Sequence, residues 1–149
     1  MSAVGLFSDD VSVVQAITIT AGAAGTTAIN STAIDTAGYD GVCFVIQFGA
    51  IVAGAATSIK AQQDTVTGMG TAADILGSNQ TIVDTADDTV FYYDIKRPSK
   101  QFVRIVISRA TQNATCSAMA YRYKGRNRPA VAGAGVSGKR ATSPAEGTP

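Results

Sequence analysis

Side chains that could carry out chemistry are scarce in this sequence. It has no histidine, and its single glutamate is Glu146, close to the carboxyl end. Hydrolytic and acid–base enzymes rely on a histidine, a pair of carboxylates or an activated nucleophile. We therefore predict that the protein is not an enzyme and that it has no catalytic and no cofactor-binding residues.

Two groups of aspartates contain the kind of oxygen that hard cations prefer. Asp9 and Asp10 are adjacent, and Asp84, Asp87 and Asp88 lie close together in the sequence. Neither group has the glycine and the final glutamate of an EF-hand loop. We expect both groups to be solvated turns, and we predict no metal site and no cofactor.

The two cysteines, Cys43 and Cys116, each lie in an apolar, strand-like run without a CxxC partner. The amino-terminal residues MSAVGLFSDDVSVV lack the basic and apolar regions of a signal peptide. No apolar run approaches the roughly 20 residues that span a bilayer. We therefore predict buried free thiols, synthesis in a reducing cytoplasm and no association with a membrane.

Basic residues are concentrated at the carboxyl end. Residues 1–121 carry six basic and ten acidic side chains, whereas residues 122–149 carry six basic and one acidic. The six candidate partner-binding residues are Arg122, Lys124, Arg126, Arg128, Lys139 and Arg140. They could contact phosphates, but they lack the interleaved aromatic side chains that stack bases, and the negative net charge of residues 1–121 argues against a broad nucleic-acid-binding face. Nucleic acid is therefore not the expected target, although it stays an alternative beside an acidic protein surface and a merely solubilising tail.

The elements that must hold these residues are strands, because apolar and polar side chains alternate through most of the chain. In residues 11–20, Val13, Ile17 and Ile19 share one face. Residues 42–48 are apolar on both faces, which indicates a central strand. Further strands are predicted within residues 25–35, 58–63, 74–77, 80–84 and 116–123.

The clearest alternation lies in residues 90–108, VFYYDIKRPSKQFVRIVIS. Two strands joined by the turn KRPSK predict an antiparallel hairpin there. In that hairpin, Asp94 would be a possible partner across the strands for Arg104.

About seven to nine short strands with regularly spaced turns are typical of a sandwich or a jelly roll. We predict an all-β, antiparallel β-sandwich of jelly-roll-like form. The predicted domain covers residues 11–123, after an amino-terminal segment of residues 1–10. Residues 124–149 are rich in glycine and proline, and we expect them to form an extended or flexible arm.

Four turn-and-strand motifs mark the domain. Gly38–Gly41 is GYDG, Asp94–Pro98 is DIKRP, Phe102–Arg104 is FVR and Tyr123–Pro129 is YKGRNRP. In these motifs the chain resembles, between residues 11 and 130, a group of small structural proteins of tailed bacteriophages. The motifs are short and have no chemical signature of their own.

The resemblance implies a virion structural protein, most often a capsid decoration or cement protein on the outside of the head. It implies the major capsid protein as partner, self-association as a homotrimer, and a location on the capsid surface after synthesis in the bacterial host cytoplasm. A head–tail connector or tail component is the alternative. A further alternative is a carbohydrate- or host-surface-binding module that uses exposed Tyr39, Tyr92, Tyr121 or Tyr123.

Overall fold

The backbone is almost entirely strand. The structure, a computed structural model, describes residues 6–127 and 130–139. The strands are β1 (Val11–Ile17), β2 (Ile29–Asn30), β3 (Ile34–Asp35), β4 (Gly41–Ile51), β5 (Thr57–Asp64), β6 (Ala73–Asp74), β7 (Gln80–Ile82), β8 (Val90–Lys96), β9 (Phe102–Ser108) and β10 (Ala114–Tyr123). A four-residue helix, α1 (Phe7–Asp10), precedes β1. No helix in the described residues is long and apolar enough to cross a membrane.

The strands form two antiparallel sheets. Sheet A has the order β1-β10-β4-β8, and in sheet B the strand β9 lies between β5 and the two short strands β2 and β3. The strand β5 also pairs with β6 and β7. If β2 with β3, and β6 with β7, are each counted as one interrupted strand, successive strands trace an eight-stranded jelly roll. The predicted β-sandwich is confirmed, in ten strands where about seven to nine were expected.

The core lies between the two sheets and is centred on β4, which is hydrogen-bonded on both sides as predicted. Its inward side chains Val42, Phe44, Ile46 and Phe48 have no exposed surface. Beside them, β10 contributes small inward residues, among them Ala118. Large side chains on one strand therefore fill the space left by small ones on its neighbour, as close packing requires.

The predicted hairpin over residues 90–108 is wrong. The strand β8 pairs with β4 in sheet A, whereas β9 pairs with β5 in sheet B. The intervening turn therefore crosses from one sheet to the other. Arg104 Nε donates to Gln62 Oε1 at 2.9 Å, and Asp94 Oδ1 accepts from the Tyr123 hydroxyl at 2.7 Å, so Asp94 is not the partner of Arg104.

The predicted faces of β1 are also wrong, because a β-bulge interrupts its pairing with β10 between Gln15 and Ile17. An extra residue in one strand reverses the alternation beyond it. Ser12 and Ile17 are consequently both buried, whereas Val13 faces outward and Ile19 is 78 % exposed beyond the end of the strand.

Both cysteines are free thiols, but only Cys116 is buried, and the expectation for Cys43 is corrected to half-buried. Burial raises the pKa of both thiols. The charge of Asp94 raises the pKa of Cys43 further, whereas Arg109 partly offsets the effect on Cys116. Cys43 differs because it points to the outer side of sheet A.

Asp64 organises the loop between β5 and β6. Its side chain is completely buried, which alone would raise its pKa. Hydrogen bonds from the Thr71 hydroxyl at 3.0 Å and from the Thr65 amide at 2.6 Å outweigh that effect. The pKa of Asp64 is therefore lowered, and the ionised carboxylate holds the loop at neutral pH.

The long connection between β1 and β2 is fixed against β10 by a buried arginine. The Arg109 guanidinium donates to the carbonyl oxygens of Thr27 at 2.8 Å and of Ala23 and Ala114 at 2.7 Å. Gly22 packs so closely that a Cβ atom on it would overlap the Cys116 carbonyl oxygen. The backbone of this loop can therefore approach β10 only with glycine at that position.

We expect Gly22→Ala to lower the free energy of unfolding by about 2 kcal/mol or more, because the loop must move away from β10. Gly70→Ala is the matched control, since Gly70 also lies in a loop and a Cβ atom on it would meet nothing within 4 Å. Urea unfolding followed by circular dichroism measures both variants. Equal stability of the two would contradict the close packing of Gly22.

Candidate interaction surfaces

In the second group of aspartates, Asp84 and Asp87 accept hydrogen bonds from the backbone of the loops at one end of the sandwich. Asp84 Oδ2 accepts from the Gly54 amide and Asp87 Oδ1 from the Ile51 amide, both at 2.6 Å. In residues 6–127 and 130–139, no three acidic or cysteine side chains are grouped as metal ligands. These carboxylates have a structural use in fixing the loops around β4.

Arg122, one of the six predicted partner-binding residues, points between the sheets. Its guanidinium donates to the Asp35 carbonyl oxygen at 3.0 Å and to the Ser12 hydroxyl at 2.8 Å. It also lies over the Tyr39 ring, 4.5 Å from the ring centroid, at a distance that favours a cation–π interaction. Arg122 thus ties sheet A to sheet B at one end of the sandwich.

The remaining predicted cations are divided between separate places. Lys124 and Arg126 are exposed directly after β10, and Lys139 is exposed at the end of the described part of the arm. Arg128 and Arg140 lie outside the described residues. The structure therefore does not gather the four described residues into one patch, and of these four only Arg126 joins other cations.

Arg126 lines a cleft at the end of the sandwich, together with Arg97 and Lys100 from the turn between β8 and β9. We call it the basic cleft; its volume is about 540 Å³. The third wall is the turn between β3 and β4, which contains Thr36 and Asp40. Sequence reasoning missed Arg97 and Lys100, although three cations in the five-residue turn KRPSK were a visible signal.

Backbone hydrogen bonds hold the three walls of the basic cleft together. The amide of Arg97 donates to the Asp40 carbonyl at 2.7 Å, and that of Arg126 donates to the Gly38 carbonyl at 2.9 Å. Thr36 donates to the Gln101 carbonyl through its amide at 2.9 Å and through its hydroxyl at 2.7 Å. The cleft is therefore preformed by the backbone, and its cations extend from fixed positions.

Residues 130–139 lie along the free side of β1. The Ala130 amide donates to the Asp9 carbonyl at 2.9 Å, and the Gly133 amide donates to the Val13 carbonyl at 2.7 Å. The Ser12 hydroxyl donates to the Val131 carbonyl at 2.5 Å. This segment contains a turn, in which the Val136 amide donates to the Gly133 carbonyl at 3.2 Å, and it covers an edge strand that would otherwise have unpaired backbone groups.

The outer side of sheet A is apolar across three of its strands. We call it the apolar face, and its members are Phe7, Val11, Val13, Cys43, Val45, Met119, Tyr121 and Tyr123. Phe7, from α1, is 62 % exposed, and its ring meets the Tyr121 ring edge-on at 6.0 Å. The other members are half-buried, and an apolar surface of this kind is a candidate for an interface.

The outer side of sheet B is polar. Lys60 Nζ and Asp74 Oδ2 form an ion pair at 2.9 Å, and Gln62 Nε2 donates to Asp74 Oδ1 at 2.7 Å. Arg104 extends this network through its bond to Gln62. The two outer sides of the sandwich therefore differ in character, with an apolar face on sheet A and a polar network on sheet B.

The tyrosines named as possible sugar platforms have different environments. Tyr39 is covered by Arg122, and Tyr121 and Tyr123 are half-buried on the apolar face. Burial, the hydrogen bond to Asp94 and nearby negative charge raise the pKa of Tyr123. Tyr92 alone of the four is largely free, with 76 % of its surface exposed on β8.

Neither a protein-family model nor a curated protein matches this sequence. Among solved structures, the chain is similar to the infectious bursal disease virus VP2 subviral particle, with a TM-score of 0.45 and 15 % sequence identity. The match covers 81 % of this chain and 31 % of that chain, so this chain spans about a third of that protein's length. The fold assignment therefore rests on the strand order itself, and this similarity carries no argument about function.

We expect Arg122→Met to lower the free energy of unfolding by about 2 kcal/mol, because two hydrogen bonds and a cation–π contact are lost. Arg126→Gln, which removes an exposed cation four residues away, should change it by less than about 0.5 kcal/mol. Urea unfolding of both variants is the measurement. If Arg126→Gln lowered the free energy of unfolding as much as Arg122→Met or more, Arg122 would not tie the sheets together.

Proposed function

We propose that this protein is a virion structural protein of a tailed bacteriophage, namely a capsid decoration or cement protein that binds the outside of the head and stabilises it. Its partners would be the major capsid protein and further copies of itself, as a homotrimer on the capsid surface. The proposal includes no catalytic role and no cofactor. The observation that carries it is the contrast between the apolar face and the polar outer side of sheet B.

Two further features support this proposal. Jelly rolls are common in viral capsid domains, although they also occur in lectins and cupins, so the fold is support by analogy only. Of the sequence motifs that resemble phage structural proteins, three contribute described residues to the lining of the basic cleft, whereas Phe102–Arg104 lies in β9. A rigid sandwich with one apolar side can add buried contact area across neighbouring shell subunits.

Cement function also fits the energetics of a repeated surface. One apolar face of moderate size gives modest affinity per copy, because association costs translational and rotational freedom. Copies that associate with each other as well as with the shell bind together, and their combined affinity then far exceeds that of a single contact. Weak individual contacts are therefore sufficient for a stable coat.

The first test is cryo-electron microscopy of the particle that carries this protein. Density repeated over the whole head is the expected result. Density at a single vertex or along the tail would instead indicate the connector or tail alternative. Absence of its density from the particle would overturn the virion assignment.

The second test changes the apolar face. Val45→Asp should reduce binding to undecorated heads, measured by cosedimentation, by at least tenfold, because a buried unpaired carboxylate costs more than about 1.4 kcal/mol. Ser58→Asp places the same charge on the polar side of sheet B and should leave binding unchanged. If both variants bind like the unchanged protein, the apolar face is not the contact surface.

A carbohydrate-binding module is the second candidate function, and exposed Tyr92 is the observation that favours it. Its ring borders a cleft of about 540 Å³ that is also lined by Asn79, Gln80 and Asp94. The Gln80 side-chain oxygen accepts from the Tyr93 hydroxyl at 3.1 Å, which leaves its amide hydrogens to donate. An aromatic ring beside fixed amide and carboxylate groups suits a sugar, which offers an apolar face and hydroxyls.

This second function predicts binding on a glycan array that Tyr92→Ala abolishes and Tyr92→Phe retains, because stacking needs the ring and not the hydroxyl. Val90→Ala, a change at another exposed residue of the same strand, should have no effect. An array without signal, or a signal unaffected by Tyr92→Ala, would reject the carbohydrate function.

A further inference from the structure

The basic cleft contains cations without an internal partner. Among residues 6–127 and 130–139, the only ion pair joins Lys60 and Asp74, on the outer side of sheet B. Arg97, Lys100 and Arg126 therefore bring three positive charges to one cleft with no carboxylate paired to any of them there. The single acidic residue of the lining is Asp40.

The position of Arg97 is conformationally unusual. Its φ of 49° lies in the left-handed region, which residues other than glycine seldom adopt, and Pro98 follows it. The hydrogen bond from the Arg97 backbone amide to the Asp40 carbonyl oxygen holds that conformation in place. Backbone of this kind persists where surrounding contacts impose it, and four other non-glycine residues of the described chain also adopt it.

The size and charge of the cleft indicate an anionic ligand. Arginine and lysine on fixed backbone bind carboxylates or phosphates strongly, since charge-assisted hydrogen bonds are about twice as strong as neutral ones. The hydroxyl of Thr36 donates to the Gln101 carbonyl, whereas the side chains of Arg97, Lys100 and Arg126 remain free to donate to a ligand. A volume of about 540 Å³ accommodates several side chains of a peptide.

Two features favour a polypeptide over nucleic acid. The Tyr39 ring lines the cleft, but Arg122 covers one of its faces, so only the other face could stack on a base. The acidic residues of the body outnumber the basic ones between residues 1 and 121, so a long polyanion would be repelled beyond the cleft.

We infer that the basic cleft is a binding site for an acidic polypeptide segment of a partner protein, with Arg97, Lys100 and Arg126 as its carboxylate-binding residues. This inference goes beyond the proposed function, because it concerns a second surface, at the end of the sandwich, and holds for the isolated protein. A partner that also covers the apolar face would then be held at two places.

Fluorescence anisotropy of a labelled hexaglutamate peptide, titrated with the full-length protein at low salt, tests the inference. Arg126→Gln should weaken binding threefold to tenfold, and the combined change of Arg97, Lys100 and Arg126 to glutamine at least thirtyfold. Lys139→Gln removes the same charge from a residue that does not line the cleft and should weaken binding less than twofold. Asp40→Asn should strengthen binding, a gain that misfolding cannot produce.

Several results would overturn the inference. They are the absence of binding to hexaglutamate at millimolar protein, equal losses in Arg126→Gln and Lys139→Gln, and tighter binding of a labelled oligothymidylate than of the peptide. The last result would assign the cleft to nucleic acid. Because these titrations use no heads and no change on the apolar face, their failure is distinguishable from failure of the decoration proposal.

Discussion

The structure depends on the packing of β4 in the middle of sheet A. Its four large inward side chains are fully buried, and the neighbouring strand β10 contributes alanines at the same level. A shift of one residue in this pairing would turn the large side chains out to solvent, so the register is strongly fixed. The same register sets which residues face outward, and Val45 and Tyr121 reach the surface because Phe44 and Ala120 do not.

Much of the fold could be predicted from the sequence, since alternation reports which residues share a face. The central strand, the last strand and the sandwich class all followed from it. Alternation does not report which strand lies alongside, and that choice depends on contacts distant in sequence. The strands before and after KRPSK therefore looked like a hairpin, although the jelly roll places them in different sheets. The bulge in β1 could not be predicted, because one inserted residue does not change the composition of the strand.

The candidate surfaces were less predictable. Charge counting found Arg126 and also Arg122, yet the two have opposite environments, because a strand end places one side chain between the sheets and a turn places the other in solvent. The basic cleft needs three turns that are far apart in sequence, and only the fold brings them together. The apolar face could not be predicted for a related reason. Any central strand is expected to have apolar residues on both sides, as β4 has, whether or not its outer side is covered.

The two edges of sheet A are unequal. The free side of β1 is occupied by residues 130–139, whereas β8 pairs only with β4 among the residues that the structure describes. An open strand edge is a template for further pairing, and a sheet open at both edges can grow without limit. With one edge closed, pairing through the other stops at two chains. The covering segment thus limits association through sheet A to a pair of chains.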